Sequence, residues 1–314
     1  MLKTSKPAVL AWKGMFDLVT VGHFSIDLIQ SPKILAPTPT LGGPPTYVSL
    51  AATQLNSRVS VISKVGEDFP SEYVSWLKTK KVDLSGLKIV KGASTTSFFL
   101  RYKNKKRRLQ LKSRAPPILS EDIPASMTAK AIHVAPIANE LSLNVIEKLR
   151  TLTNVLSLDP QGLLRTFDKF GNAELKKWDG LEVLERIDIY KSSLKEIKIL
   201  TELANLQSAM KKINSLGPKI VLVTKGIMGS ILFFEGRFHK IPACKPRIIL
   251  DPTGAGDVFI GAFLAEYAKG KDPLWCACVG SAASSFVVEG IGPAVFGGKE
   301  EVYRRANEIY EKDM

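Results

Sequence analysis

The feature that most constrains the fold is an alternation of short apolar runs with helical stretches in the first quarter of the chain. The runs have the length and composition of buried strands, and the stretches between them are largely apolar at helical spacing. We predict these elements at Phe16–Val21, Thr46–Leu55, Val59–Val65 and Ser71–Lys80. A strand, helix, strand order favours a parallel sheet with right-handed crossovers. The chain is therefore predicted to adopt an α/β fold that begins near Met15.

This alternation is interrupted by two β-type runs with no helix between them. Thr95–Tyr102 and Arg107–Lys112 flank the polar turn Lys103–Lys106, which is typical of a hairpin. We expect the hairpin to stand off the main sheet as a flap. The basic residues of the turn are typical of a solvated edge that resists aggregation. The alternative, that Arg107 or Arg108 reaches a phosphate or a polyol when the flap closes, stays open.

The alternation then resumes and continues to the end of the chain. We predict strands at Ala131–Val134, Val155–Leu158, Ile187–Tyr190 and Ile220–Thr224, and a second hairpin at Ile231–Phe234 and Arg237–Ile241. We predict helices at Asn144–Leu152, Leu206–Ser215, Asp257–Lys269, Pro273–Val287 and Lys299–Lys312. Because no linker is long enough to divide the core, residues 15–314 are predicted to form one domain after an extension of residues 1–14.

Composition excludes several classes of protein. The chain is 45% apolar, which is ample for a buried core, and its three cysteines are too few for a disulfide framework or a zinc site. No apolar run reaches the roughly 20 residues that span a bilayer, so we expect a cytoplasmic protein without a membrane partner. The net charge of +14 comes mostly from scattered lysines. Such lysines are typical of a solvated surface, and nucleic acid is not expected as a partner.

The stretch of residues 248–264 concentrates the chemistry of the chain. It has the pattern of a strand end, a glycine loop and a buried helix that is predicted to begin at about Asp257. Gly254 and Gly256 let the backbone point the amides of residues 254–257 at one position, and the helix adds the positive end of its dipole there. This predicts a receptacle for a phosphate. A carboxylate at Asp257 would repel that phosphate unless it accepts a proton from an attacking hydroxyl. The alternative is that Asp257 only caps the helix.

The string Asp251-Pro252-Thr253-Gly254-Ala255-Gly256-Asp257 resembles the signature of the ribokinase (phosphofructokinase-B) family of sugar and nucleoside kinases. The order of elements from about residue 16 resembles the family as well. The resemblance implies a three-layer α/β/α sandwich with a mainly parallel central sheet and a small β-sheet lid, formed by segments at about 31–41 and 92–115. It also implies ATP and Mg²⁺ as cofactors, Asp257 as the base, and Gly254, Ala255 and Gly256 as the anion hole.

The resemblance assigns further positions on the acceptor and metal sides. The family's substrate-binding acid matches Asp27, which also follows the first predicted strand, at the edge where open α/β sheets bind ligands. The family's glycine pair matches Gly42 and Gly43. Its Asn-x-x-Glu motif, tied to magnesium and phosphate, corresponds here to Ser193-x-x-Glu196, with Ser in place of Asn. The same two residues also have the spacing of a helix capping box, which alone would explain them.

On the nucleotide side, the family's Thr-x-Gly-x-x-Gly turn matches the segment that begins at Thr224. The residues expected to contact the nucleotide phosphates there are Thr224, Lys225, Gly226 and Gly229. The resemblance also implies that the adenine lies between the helix Ala282–Val287, which contains Ala283, and the turn Gly290–Pro293.

Short segments of the chain are most similar to the archaeal myo-inositol kinase branch of the family. They are Leu41–Tyr47, the lid runs Arg107–Leu111 and Arg114–Ile118, and Asp159–Arg165. Tyr47 follows the glycine pair where many family members carry Asn. A pocket built from Asp27, Gln161 and Arg165 suits a polyol, because carboxylate and amide groups can each hold two neighbouring hydroxyls.

The expected activity is ATP-dependent transfer of a phosphoryl group to a hydroxyl of a polyol or sugar, with myo-inositol favoured. Ribose, a nucleoside and a keto sugar acid are the alternative acceptors. A non-catalytic nucleic-acid-binding or regulatory protein is a further alternative. The expected partners are a small-molecule acceptor and a nucleotide, and both a monomer and a homodimer stay open. The histidines lack metal-ligand spacing, although His23 lies near the predicted ligand edge.

Overall fold

The computed structural model describes residues 15–30, 36–103 and 106–311, without the side chains of residues 103, 106 and 107. The predicted extension of residues 1–14 and the part of the predicted lid at 31–35 lie outside the described residues.

The strands that the structure describes account for two main sheets. In chain order they are β1 (Phe16–Val21), β2 (Ser25–Gln30), β3 (Pro39–Gly42), β4 (Val59–Gly66), β5 (Val82–Val90), β6 (Thr96–Lys103), β7 (Lys106–Ser113), β8 (Ala129–Val134), β9 (Thr153–Leu158), β10 (Arg165–Phe167), β11 (Ala173–Leu175), β12 (Ile189–Ser193), β13 (Ile220–Thr224), β14 (Ser230–Phe234) and β15 (Arg237–Ile241). Within the described residues, nine of them form a central sheet in the order β15-β14-β13-β12-β9-β8-β1-β4-β5.

The central sheet is mainly parallel. Every pair from β13 to β5 is parallel, and the hairpin β14–β15 adds an antiparallel edge. A separate four-stranded sheet has the order β3-β2-β6-β7 and is called the lid below, while β10 and β11 form a short hairpin of their own. The predicted α/β class, with a parallel central sheet and a small second sheet, is confirmed.

Helices cover both faces of the central sheet. They are α1 (Pro44–Gln54), α2 (Ser71–Thr79), α3 (Leu143–Arg150), α4 (Leu194–Thr201), α5 (Leu206–Ser215), α6 (Ala255–Tyr267), α7 (Pro273–Val287) and α8 (Lys299–Tyr310). Helices α1, α6, α7 and α8 share one buried apolar cluster, and α3, α4 and α5 share a second. The sheet and the two helical layers form the predicted three layers. Among the described helices, none is both long and apolar enough to cross a bilayer.

Four strands are absent from the sequence prediction: the lid strand β2, the edge strand β5, and the short hairpin strands β10 and β11. β5 lies at the edge of the central sheet, and its burial follows no period of two, so its sequence carries a weak signal. β2 alternates strictly between buried and partly exposed residues, but its buried positions include Ser25 and Asp27, so the hydrophobicity of its sequence does not follow that period. Asp27 is therefore not in a loop after β1, as the sequence suggested, but in the middle of a lid strand.

His23 belongs to the connection between the central sheet and the lid. Its Nε2 lies 3.0 Å from the carbonyl oxygen of Pro116, and its Nδ1 lies 2.8 Å from the hydroxyl of Thr96. A carbonyl only accepts, so Nε2 carries the proton and Nδ1 accepts from Thr96. Burial lowers the pKa of His23, which keeps the ring neutral. The residue thus ties the β1–β2 connection to the start of β6 and to the chain that leaves β7.

Candidate active site

The carboxyl ends of three neighbouring strands meet at one edge of the central sheet. Asp159 directly follows β9, Ser193 ends β12, and Thr224 ends β13. Because these strands are parallel, the three residues lie on the same side of the sheet. This is the edge at which open α/β sheets bind ligands.

The amino terminus of α6 is open to a ligand. The helix begins at Ala255, two residues before its predicted start, because Gly254 adopts a left-handed conformation with φ of 77° as the N-cap. No side chain of the described residues caps it. The Ala255 amide donates to the Pro252 carbonyl at 3.3 Å, whereas Gly256 and Asp257 lie in the first turn, whose amides have no intrahelical acceptor. Their N–H groups and the helix dipole are therefore available to an anion.

Asp257 lies in this first turn and is only partly exposed. Its Oδ1 accepts a hydrogen bond from Gln161 Nε2 at 3.3 Å. Burial raises the pKa of Asp257 to about 6; the charge of Lys191 opposes this rise, Asp159 adds to it, and Arg165 opposes it. A carboxylate with such a pKa can take a proton from a hydroxyl and still be ionised at neutral pH.

A cavity of about 60 Å³ lies against Asp257 and contains most of the predicted acceptor residues. The predicted residues that line it are Asp27, Gly43, Tyr47, Gln161, Arg165, Gly254 and Asp257. The sequence did not identify its apolar wall, which comes mainly from the lid and includes Phe98, Leu100 and Leu109. We call it the acceptor cavity.

A chain of hydrogen bonds orients the polar groups of the acceptor cavity. Arg165 Nη1 donates to the carbonyl of Ile137 at 3.1 Å, and its Nη2 donates to Gln161 Oε1 at 2.6 Å. With its oxygen held by Arg165, Gln161 turns its amide nitrogen toward Asp257. Arg165 thus orients Gln161 and also lines the cavity itself.

Tyr47 and Gly42 are explained by their neighbours. A Cβ at Gly42 would lie 2.2 Å from Asp27 Oδ2, so glycine is needed for the carboxylate to lie there. The Tyr47 ring packs on Gly254, where a Cβ would lie 2.4 Å from the ring. The Tyr47 hydroxyl is buried without a hydrogen-bond partner among the described residues. Burial, together with the charges of Asp27 and Asp257 nearby, raises the pKa of Tyr47 well above its usual range, so the hydroxyl remains a donor.

A second cavity, of about 460 Å³, lies on the other side of the glycine loop and is called the donor cavity. Of the predicted residues, those that line it are Thr224, Gly226, Gly229, Ala255 and Gly256. Its unpredicted lining is largely apolar and includes Ile227, Cys244, Ile249, Phe259 and Val288. The glycine loop separates the two cavities, because Gly254 and Asp257 face the acceptor cavity while Ala255 and Gly256 face the donor cavity.

Three predicted nucleotide contacts do not line the donor cavity. Lys225 instead closes the turn after β13 with its amide, which donates to the Gly229 carbonyl at 2.7 Å. Ala283 is buried in the apolar cluster of α6 and α7. Gly290 packs against Val295, which a Cβ at that position would approach to 2.8 Å.

The remaining predicted residues, Arg108, Ser193 and Glu196, line a separate polar cavity of about 790 Å³ next to the acceptor cavity. Arg108 lies there rather than in the acceptor cavity, and Arg165 borders both. Ser193 and Glu196 also line it and form the capping box of α4. The Glu196 amide donates to Ser193 Oγ at 3.3 Å, and Glu196 Oε2 accepts from the Ser193 amide at 2.7 Å.

The sequence reasoning missed a buried ion pair beneath the glycine loop. Lys191 Nζ donates to Asp159 Oδ2 at 2.6 Å, and both residues are almost completely buried. Lys191 also lies against the glycine loop, since a Cβ at Gly256 would be 2.8 Å from its Nζ. Each residue follows a predicted strand, but only the folded sheet shows that the two strands, β9 and β12, are neighbours.

The lid touches the glycine loop directly. Thr253 Oγ1 donates to Asp251 Oδ1 at 2.6 Å, and it lies 2.9 Å from the hydroxyl of Tyr102 in β6. A threonine hydroxyl has one proton, so Tyr102 is the donor in this contact. The lid therefore closes over the acceptor cavity by a hydrogen bond to the loop that carries Asp257.

This arrangement agrees with comparisons with known proteins. A family model of the pfkB family carbohydrate kinases matches residues 15–296. The chain belongs to this family. Its relatives and structural neighbours make it a sugar, nucleoside or polyol kinase of the ribokinase type.

The relatives differ in their substrates. The cytidine kinase of Thermococcus kodakarensis is 28% identical over 85% of this chain and 94% of its own length. The inositol 3-kinase of Arabidopsis thaliana is 27% identical over 92% of this chain and 80% of its own length. A pyrophosphate-dependent kinase of the ribokinase family, solved with a pyrophosphate analog and myo-inositol, has a TM-score of 0.78 and 25% identity, and the match covers 91% of this chain and 99% of that one.

Proposed function

We propose that this pfkB family protein transfers the γ-phosphoryl group of ATP to a hydroxyl of a polyol or sugar, with myo-inositol as the favoured acceptor. The observation that carries the proposal is the division of the glycine loop, with Asp257 on the acceptor side and the amide-bearing turn at Ala255 and Gly256 on the donor side. A phosphoryl group held at this turn lies between an acceptor hydroxyl and the rest of the donor. Asp257 takes the hydroxyl proton during the transfer.

The composition of the acceptor cavity supports a compact polyhydroxylated acceptor. Asp27 offers carboxylate oxygens, Gln161 an amide, and Tyr47 a hydroxyl that stays protonated. Carboxylate and amide groups suit vicinal hydroxyls, and the apolar lid wall suits the carbon face of a ring. The lid, held by Tyr102, excludes water that would compete as acceptor.

The donor cavity supports a nucleotide rather than pyrophosphate. Its apolar lining comes from Ile227, Ile249, Phe259 and Val288. Such a lining offers no contacts to the pyrophosphate anion but suits a purine ring. Glu196 is the residue that would hold Mg²⁺, which neutralises charge on the donor phosphates when bound. One carboxylate is compatible with this ion, because Mg²⁺ keeps several waters and binds through one or two carboxylates plus substrate phosphates.

A nucleoside is the alternative acceptor. The polar cavity of about 790 Å³ meets the acceptor cavity at Arg165 and would accommodate a base attached to a ribose. The cytidine kinase among the relatives makes this alternative concrete.

A coupled assay of product formation across acceptors and donors tests the proposal. The acceptors are myo-inositol, ribose, cytidine, fructose and a keto sugar acid, each with ATP and with pyrophosphate in separate reactions. We expect the highest kcat/KM for myo-inositol with ATP. A preference for cytidine would mean that the acceptor is a nucleoside, and turnover with pyrophosphate alone would mean that the donor is pyrophosphate. No turnover with any pair would reject a kinase function.

A further inference from the structure

The proposed transfer assigns no role to the buried pair of Lys191 and Asp159, although this pair lies directly beneath the residues that perform the transfer. Lys191 is 5% exposed and Asp159 is 1% exposed. Burying two charges is costly even when they are paired, and a pair of apolar side chains often stabilises a core equally well. A buried ion pair at this position therefore suggests a function beyond stability.

The position of the ammonium group indicates what that function is. A Cβ at Gly256 would lie 2.8 Å from Lys191 Nζ, so the ammonium lies against the turn that faces the donor cavity. The next residue along the chain is Asp257. Lys191 thus lies close both to the expected phosphoryl group and to the expected base.

We propose that Lys191, held by Asp159, is a positioning residue that supplies positive charge beneath the anion hole and keeps Asp257 ionised. The inference rests on the proposed function for the identity of the base. Because it acts through the glycine loop and Asp257, Lys191 is not assigned a contact with the substrate.

The charges around Asp257 are consistent with this role. Burial opposes the charge of Lys191, but Asp159 and Asp257 raise the pKa of Lys191 above its usual value, so it remains a cation. The other groups that face Asp257 are Arg165 with Gln161, and Tyr47 and Asp27 across the acceptor cavity. Lys191 is the cation that most strongly favours the ionised form of Asp257, and Asp159 is a carboxylate that disfavours it.

The test compares Lys191→Met and Asp159→Asn. Loss of the cation should raise the pKa of Asp257. We expect a rise of about 1 pH unit, which is the low end of the range for a neighbouring charge. Loss of the Asp159 carboxylate should lower that pKa, because Lys191 then acts on Asp257 without its counter-charge. A purely structural pair would not move the titration in opposite directions.

The pKa of Asp257 is measured in two ways. The acid limb of the pH profile of kcat/KM reports it through turnover. Titration of the carboxyl carbon of Asp257 by ¹³C NMR, with the signal assigned by its loss in Asp257→Asn, reports it without turnover. If the wild-type protein phosphorylates none of the acceptors, the proposed function fails while the NMR titration still tests Lys191.

A matched control is provided by Lys64, which forms another buried pair with Asp122 at 2.5 Å but faces Pro117 rather than the glycine loop. Lys64→Met should reduce stability without a shift in the titration of Asp257. Should Lys191→Met fail to fold, the double variant Lys191→Met with Asp159→Asn leaves no unpaired charge, and Asp159→Asn alone still predicts a downward shift. Unchanged titration of Asp257 in both Lys191→Met and Asp159→Asn, shifts in the same direction in those two variants, or an equal shift in Lys64→Met would overturn the proposal.

Discussion

Two helices begin at the same edge of the central sheet, and their first turns are built in opposite ways. Helix α4 has Ser193 as its N-cap, and its capping box satisfies the amides of Ser193 and Glu196 with each other's side chains. Helix α6 has Gly254 as its N-cap, and no side chain of the described residues caps it. Uncapped terminal amides cost stability unless water or a ligand occupies them.

The difference separates a structural terminus from a binding terminus. Both helices carry an acid at the third position, Glu196 in α4 and Asp257 in α6. Glu196 accepts a hydrogen bond from its own N-cap amide, whereas Asp257 faces Gln161 and the acceptor cavity. A carboxylate at the same position therefore serves as a cap in one helix and as a proposed base in the other.

The largest expected effect comes from Asp257→Asn at the open terminus. Loss of a positioned base should lower kcat by about 10²–10⁴ with little change in the KM for either substrate. Steady-state kinetics measure this effect, and a variant that keeps a tenth or more of wild-type kcat would show that Asp257 is only a cap.

The same variant should not lose stability. The pKa of Asp257 is raised from 3.8 to about 6 by folding, so its charge destabilises the fold fully above pH 6 and not at all below pH 3.8. The Tm of Asp257→Asn should therefore exceed that of the wild type at pH 8, and the difference should shrink toward pH 4. A lower Tm at pH 8 would argue for a stabilising role.

Gly254→Ala tests the backbone of the open terminus. Alanine at φ of 77° costs about 1–2 kcal/mol, and its Cβ would lie 2.4 Å from the Tyr47 ring. Displacement of the turn should lower kcat/KM by about 10²–10³, the effect of losing one donor of an oxyanion hole. The matched control is Gly236→Ala, because Gly236 has φ of 76° with no atom near the added Cβ. Equal losses of activity in the two variants would show that only stability is affected.

The pH profile of the wild type gives a smaller but continuous test. Because Asp257 must be ionised to accept a proton, kcat/KM should be constant well above pH 6 and fall tenfold per pH unit well below it. The acid limb should be absent in Asp257→Asn at its residual rate. A limb near pH 4 would mean that a carboxylate with an ordinary pKa controls the reaction.

The sequence predicted the open terminus better than its surroundings. The glycines and Asp257 form a short local motif, and their placement depends on backbone geometry that glycine itself encodes. Lys191, Asp159 and the lid wall were missed because their roles depend on which strands become neighbours in the folded sheet. Asp27 was predicted to bind substrate although its strand was not predicted, and the structure places it in the lining of the acceptor cavity.

The nucleotide contacts show the same limit. Of the predicted contacts, Thr224 and the glycines of its turn line the donor cavity, because the turn directly follows a strand that ends there. Ala283 and Gly290 do not line it. Packing of α7 against α6 decides which face of α7, and which part of the turn after it, meets the cavity. Local motifs therefore transfer reliably from sequence, and residues placed by packing do not.

The smallest expected effects concern the closed terminus and decide whether it is only structural. Ser193→Ala removes the acceptor for the Glu196 amide and should cost about 1 kcal/mol of unfolding free energy. Glu196→Gln keeps an oxygen for the Ser193 amide, and glutamine is accepted at this position of a capping box, so stability should change little. Denaturant unfolding measures both.

Activity then separates capping from metal binding at Glu196. If α4 is purely structural, Ser193→Ala is the more damaging change and neither variant alters the dependence of kcat on Mg²⁺ concentration. If Glu196 also holds Mg²⁺, Glu196→Gln raises the Mg²⁺ concentration needed for half-maximal rate while its unfolding curve matches the wild type. We expect the second result, because Glu196 lines the polar cavity next to the acceptor and the capping bond occupies only its Oε2. A closed helix terminus would then contribute a ligand through its capping side chain, whereas the open terminus of α6 contributes through its backbone.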